Sequence, residues 1–144
     1  MIIEQILNDK GHVVVTLKAD HTLREAAQLL DEKKIGAVVA LDLDERIIGV
    51  LSERDIVRHV ARHGAEALEM PVGGAMTRSV VTVHAATPID EALQTMTDRR
   101  IRHLPVVHND RLTGVISIGD LVKWKIAEAE SEAKAMKSYL SAQI

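Results

Sequence analysis

The sequence of 144 residues contains no cysteine and no phenylalanine. Its Trp and Tyr content is one residue each, Trp124 and Tyr139. Without cysteine there are no disulfides, no thiolate metal ligands and no cysteine nucleophile. Without rings, a surface that stacks several bases is excluded, and so is a Tyr- or Trp-rich binding face. No run approaches the roughly 18 consecutive apolar residues of a membrane span, so no membrane partner is expected. Neither sign of charge dominates: 18 Lys and Arg stand against 21 Asp and Glu, a net charge of −3. That balance speaks against a dedicated nucleic-acid binder while leaving a local basic patch open. Met1 to Glu4 carry no basic region leading into an apolar stretch. No signal peptide is expected, and the expected compartment is the cytoplasm. What is there is globular in balance, with 47% hydrophobic and 27% charged residues. The length suits one domain, or two small modules sharing a core, built from Val, Ile, Leu, Ala and Met.

The chain repeats itself. Val14-Val15-Thr16-Leu17-Lys18-Ala19 aligns with Val80-Val81-Thr82-Val83-His84-Ala85, Glu25-Ala26-Ala27-Gln28 with Glu91-Ala92-Leu93-Gln94, and Ile35 with Ile101, all at one offset. The offset then slips by one residue in the polar loop around Asp44 to Arg46, and Gly49 to Val57 aligns with Gly114 to Val122. Such self-similarity marks a duplicated structural unit. Each copy reads as a β-branched strand (Val13 to Leu17; Val80 to Val83), a helix, two strands (Ala37 to Leu41 and Ile47 to Leu51; Leu104 to Val107 and Leu112 to Ile116), and a second helix starting at Ser52 or Ser117. Thr22 with Glu25, and Thr87-Pro88 with Asp90, read as starts of the first helices. Lys33-Lys34 and Arg99-Arg100 stand near their ends, where the helix dipole favours cations. The expected fold is α/β (α+β), two β-α-β-β-α units packed as a pseudo-two-fold pair. A lone unit would leave an apolar face open, and two packed sheet to sheet would close a shared core. The boundaries are 1–63 for the first copy with an N-terminal segment, 64–79 for a linker, 80–127 for the second copy and 128–144 for a helical tail.

The sharpest repeated feature is Gly-h-h-Ser-x-x-Asp (h, hydrophobic): Gly49, Ser52, Asp55 and Gly114, Ser117, Asp120. Ser at the N-cap with Asp three residues on is a capping box, contributing about 1 kcal/mol to the helix start. The same groups suit a ligand: an ionised carboxylate accepts hydrogen bonds from both hydroxyls of a ribose, and a helix start receives phosphate oxygens. The motif alone leaves both readings open.

These signatures, the β-α-β-β-α repeat and the run Ile101-Arg102-His103-Leu104-Pro105-Val106-Val107 together resemble a tandem pair of CBS domains, the family named after cystathionine β-synthase. The resemblance covers about residues 8–127 and is similar to bacterial stand-alone pairs with Ser-Glu-Arg-Asp in the first copy and Ser-Ile-Gly-Asp in the second. It implies a non-enzymatic sensor for adenosine-containing ligands: AMP, ADP, ATP, S-adenosylmethionine or NAD(H). It also implies two clefts between the copies, one using Thr16, Ser117 and Asp120, the other Thr82, Ser52 and Asp55. Adenine would lie between aliphatic side chains, so the shortage of rings is no obstacle. Arg102 and His103 stand where relatives often place phosphate-contacting cations. The equivalent first-copy residues, Gly36 and Ala37, are uncharged, so the clefts are not equivalent. Arg54 offers the Asp55 site a charge that Gly119 does not offer Asp120; it reaches a phosphate or pairs on the surface. The family further implies a homodimer and, with no effector domain attached, a protein target acted on in trans.

Other features are weaker. His59 and His63 sit four apart on a predicted helix without a third metal ligand, so an exposed helix face is the simpler reading. No base stands beside a nucleophile. Ile126, Ala129, Ala133, Met136 and Leu140 form a heptad-like stripe in the tail, either a cover for the chain's own core or a clasp between subunits; Trp124 is expected to be semi-buried. Two rival readings are a structural homodimer with vestigial clefts and a nucleic-acid binder using Lys33, Lys34, Arg99, Arg100 and Arg102.

Overall fold

A computed structural model describes residues 1–143; Ile144, the last residue of the expected tail, lies outside the described residues. The elements run α1 (Ile3–Lys10), β1 (Thr16–Leu17), α2 (Leu23–Lys33), β2 (Ala37–Leu41), β3 (Ile47–Ser52), α3 (Glu53–His63), α4 (Ile89–Arg99), β4 (His103–His108), β5 (Arg111–Ser117) and α5 (Ile118–Ala142), with 3₁₀ turns at Gly64–Glu69 and Val72–Gly74. The duplicated unit is visible in this order, and the fold is the expected α/β pair with a C-terminal helix. β1 is parallel to β2, β2 is antiparallel to β3, and β4 is antiparallel to β5. The hairpins close where the polar turns predicted. Asn109 and Asp110 both take positive φ (51° and 61°), as a two-residue hairpin loop requires.

The opening strand of each copy is shorter than expected. Of Val13 to Leu17 only Thr16 and Leu17 pair, and Val80 to Val83 makes one bridge, Val83 to Val106. The β-branched residues before these points are not strand; Val13 to Val15 and Val80 to Val81 line clefts. Helix α2 starts as predicted, with Thr22 Oγ1 accepting from the Glu25 amide at 3.1 Å. For α4 the start is right but the cap is not. Pro88 is the N-cap, and Thr87, one residue too early, accepts instead from the His84 amide at 3.0 Å.

The expected single shared core is two cores. Leu17, Leu23, Ala26, Leu30, Val38, Ala40, Leu51 and Ile56 cluster with Val72, Ala75 and Met76. Val83, Ile89, Ala92, Met96, Leu104, Val106, Ile116 and Leu121 cluster with Ile3, Ile6 and Leu7. Each half is therefore sealed by the segment that precedes the other half's first strand. Backbone bonds fix the exchange: the first amide of α2 donates to Met70 O at 2.9 Å and that of α4 to Met1 O at 3.0 Å. The exchanged segments lie directly on the glycines of the two signatures. A Cβ at Gly114 would meet Leu7 Cδ2 at 2.6 Å, and one at Gly49 would meet the Met76 side chain. Glycine is required there by close approach. Beyond their own cores the halves still meet, where the His103 ring lies against Gly36.

The tail is not a separate element but the continuation of α5, 25 residues long. Leu121 is buried and Trp124 packs partly buried on the second core, as expected. From Ile126 onward the helix leaves the body: Ile126, Met136, Tyr139 and Leu140 are all more than half exposed. The tail does not cover this chain's own core.

Candidate ligand-binding clefts

Both Gly-h-h-Ser-x-x-Asp signatures fold alike. The strand ends at Ser, whose extended backbone (φ −104° at Ser52, −99° at Ser117) turns directly into a helix. Asp55 Oδ2 accepts from the Ser52 amide at 2.9 Å, and the Asp55 amide donates to Ser52 Oγ at 3.3 Å. The second signature repeats this at 2.9 and 3.2 Å. Both signatures therefore form the expected capping box.

Asp55 lines a cleft of about 190 Å³. One wall is the start of α3, with Ser52, Glu53, Arg54, Asp55 and Arg58. The opposite wall is Thr77, Ser79, Val80 and Val81, and the third is Arg100 to His103 with Pro105. Asp55 is the single charged residue buried in the protein among the described residues, at 7% exposure. Its Oδ1 faces Arg58 Nη1 at 3.5 Å. Arg100 reaches the rim because α4 ends there in a left-handed residue (φ 54°), which turns the chain sharply into the cleft. Four arginines, Arg54, Arg58, Arg100 and Arg102, thus line the cleft together with two acidic residues, Glu53 and Asp55. Planar guanidinium forks suit phosphate oxygens, a buried carboxylate suits hydroxyl donors, and Val80, Val81 and Ile101 supply an aliphatic surface.

A family model described as the CBS domain matches residues 7–62 and 72–127. The chain belongs to the CBS-domain family. It resembles the CBS-domain containing protein ATU1752 from Agrobacterium tumefaciens, with a TM-score of 0.85 and 43% identity over 87% of this chain and 99% of that one. It also resembles the CBS domain protein PAE2072 from Pyrobaculum aerophilum complexed with AMP, with a TM-score of 0.75 and 33% identity over 83% and 89% of the two chains. Among curated proteins, the mitochondrial CBS domain-containing protein CBSX3 of Arabidopsis thaliana is 32% identical over 125 residues. This chain spans 61% of that protein's length.

The second cleft of this CBS pair is roomier, about 430 Å³, and chemically different. Ser117 and Asp120 line it with Lys10, Gly11, Val13 to Val15, Lys34 to Ala37, His103 and Val115. Where the first cleft has Thr77 and Ser79, the repeat alignment puts Gly11 and Val13. Lys10 Nζ donates to Asp120 Oδ2 at 2.7 Å and to Val115 O at 2.9 Å. Partial burial disfavours ionisation of Asp120, but the hydrogen bonds from Lys10 and Ser117 outweigh it and hold the carboxyl below its ordinary range.

His103 lines both clefts, and a methyl on Gly36 would meet its ring at 3.1 Å. Burial lowers its pKa, the neighbouring Arg102 and Lys10 cations add to that, and Glu53 and Asp120 oppose it. The folded chain thus favours the neutral imidazole. The unfolded chain takes up this proton at a higher pH than the folded one, so folding stability falls as pH drops below histidine's ordinary value. Replacing His103 with Asn is expected to flatten the fall in thermal midpoint between about pH 7 and 5, followed by circular dichroism. An unchanged slope would show that other groups set it.

Of the expected site residues, Ser52, Arg54, Asp55, Arg102 and His103 converge in one cleft and Ser117 and Asp120 in the other. Thr16 and Thr82 are not brought in. Both are exposed and line neither cleft. Besides Ser52, the hydroxyl residues lining the first cleft are Thr77 and Ser79, on a segment held by the paired bonds between Thr77 and Val50 (3.0 and 2.9 Å). A signal existed in the repeat alignment, since hydroxyl residues of the second copy face Gly11 and Val13 in the first. Arg58 and Lys10 carried no motif. His59 turns its Nδ1 to the Asp55 carbonyl at 2.9 Å, and no group of three or more metal-ligating side chains exists among the described residues. No described helix is long and apolar enough to cross a membrane.

Proposed function

We propose that this CBS pair is a non-enzymatic regulatory module that binds an anionic adenosine-containing ligand, AMP, ADP, ATP or NAD(H), in the Asp55 cleft. The observation that carries this is the buried Asp55 carboxylate in a cleft lined by four arginines, Arg54, Arg58, Arg100 and Arg102. Asp55 would accept the ribose hydroxyls. Thr77 and Ser79, Arg54 and Arg102 would take phosphate oxygens, and Val80, Val81 and Ile101 would flank the base. The AMP complex of the P. aerophilum relative supports an adenosine ligand. The cationic rim favours phosphates over S-adenosylmethionine, whose sulfonium would approach four like charges. Binding would shift the equilibrium between two poses of the repeats, read in trans by another protein. A homodimer through the helices is supported by the exposed apolar side chains of Val57 on α3 and Val122 and Ile126 on α5.

Calorimetric titration tests the reading. AMP, ATP and NADH are expected to bind, and S-adenosylmethionine at least about tenfold more weakly, the factor that roughly 1.4 kcal/mol represents. No heat and no thermal shift with any of the four would leave a structural dimer with vestigial clefts.

A further inference from the structure

The two clefts of the pair carry the same Ser-Asp signature, and among the described residues only the Asp120 carboxylate is hydrogen-bonded by a side chain from an exchanged segment. Lys10 is the last residue of α1. The register of α1 is fixed by Ile3, Ile6 and Leu7, all at 1% exposure or less. Immediately after it the chain turns away at Gly11, with φ 98°. Lys10 itself reaches β5 and α5, where its ammonium is shared between Val115 O and Asp120 Oδ2 at 2.9 and 2.7 Å. That oxygen also accepts from the Ser117 amide at 2.9 Å. A diol approaching Asp120 finds the carboxylate already held by a cation. In the first cleft the residue aligned with Lys10 is Met76, which is buried in the first core at 8% exposure and bears no charge. The one cation on Asp55 is Arg58, at 3.5 Å and on the other oxygen.

We infer that Lys10 is a built-in occupant of the second cleft: its ammonium holds the Asp120 carboxylate that a ribose would need, so adenosine ligands enter there only by displacing it. The first cleft then fills alone at low ligand concentration. The second opens only when Lys10 withdraws, and its occupancy is tied to the end of α1. Charge-assisted hydrogen bonds are the strong ones, and the pin is intramolecular, so it competes at any protein concentration. This inference rests on the reading of the clefts as adenosine sites, and the experiment separates the two.

AMP is titrated calorimetrically into the full chain and into Lys10→Met, Asp55→Asn and the double variant. Methionine keeps the unbranched stem and removes the charge. The full chain is expected to bind one AMP per chain, and Lys10→Met two, the second tightened roughly tenfold or more over the pinned site. The double variant should retain only the second. Lys10→Gln, with a shorter neutral side chain, is expected to give the same gain, which guards against a folding defect in one variant. Two sites of similar affinity in the full chain, or no added site in either Lys10 variant, would overturn the pin. Undiminished binding by Asp55→Asn would instead sink the first-cleft reading, and the gain or lack of gain in the Lys10 variants would still decide the pin.

Discussion

Leu7→Ala is expected to lower the free energy of unfolding by about 2–5 kcal/mol, although Leu7 stands well before the first repeat signature. Its side chain is 1% exposed and sits in the second core with Leu104, Ile116 and Leu121. Collapse around the vacancy is limited because β5 and α5 are fixed by their own ladder and capping box. Gly114→Ala alone is expected to cost about 1–3 kcal/mol as an overpacking change, because its new methyl would meet Leu7 Cδ2 at 2.6 Å. In the Leu7→Ala background that methyl enters the space just vacated. The double variant should therefore be more stable than the sum of the single losses predicts, by roughly 0.5–3 kcal/mol of coupling. Urea unfolding of the four proteins measures it. Strict additivity would show that α1 does not pack on β5 and that the exchanged-segment architecture is wrong.

Asp55→Asn should weaken AMP binding by roughly 10- to 150-fold, the range for losing hydrogen bonds to a charged acceptor, about 1.5–3 kcal/mol. Asparagine keeps the size and one acceptor oxygen, so the Ser52 cap is largely preserved and stability should change by no more than about 1 kcal/mol. The two readouts distinguish the roles of this carboxylate. A cap alone would move the urea midpoint and leave the AMP isotherm where it was. A ribose acceptor moves the isotherm far more than the midpoint. An equal, small change in both would reduce Asp55 to a helix cap and remove the argument for an adenosine ligand in that cleft.

Much of this was legible in the residues because it is local or periodic. The alignment of Gly49 to Val57 with Gly114 to Val122 marked the duplication, since each stretch must make the same strand-to-helix turn. Ser-x-x-Asp is satisfied within four residues, so both capping boxes formed as read. The αL residues Lys34 and Arg100 sit where the helical pattern stops. Residue pattern is a poor guide where a partner lies far along the chain. Val80 to Val83 has strand composition, but only Val83 pairs; Val80 and Val81 line the cleft that the repeats enclose. Thr16 and Thr82 belong to a plausible motif, yet strand position leaves them exposed, while Thr77 and Ser79 are drawn in by a bond to Val50.

The repeat, the helix starts, the carboxylates and cations available, and the absence of rings that leaves aliphatic side chains to face any base all follow from the residues alone. Which of those groups meet depends on long-range packing. It divided the expected shared core into two, because α1 and the segment around Val72 to Met76 each seal the opposite half. It gathered Arg58 and Arg100 with Arg54 and Arg102 around Asp55, and it laid Lys10 on Asp120. Composition is summed over the chain and caps are closed within a turn, so both can be read along a line. A cleft is made by segments tens of residues apart, and its charge depends on which side chains the fold brings within about 4 Å of one another.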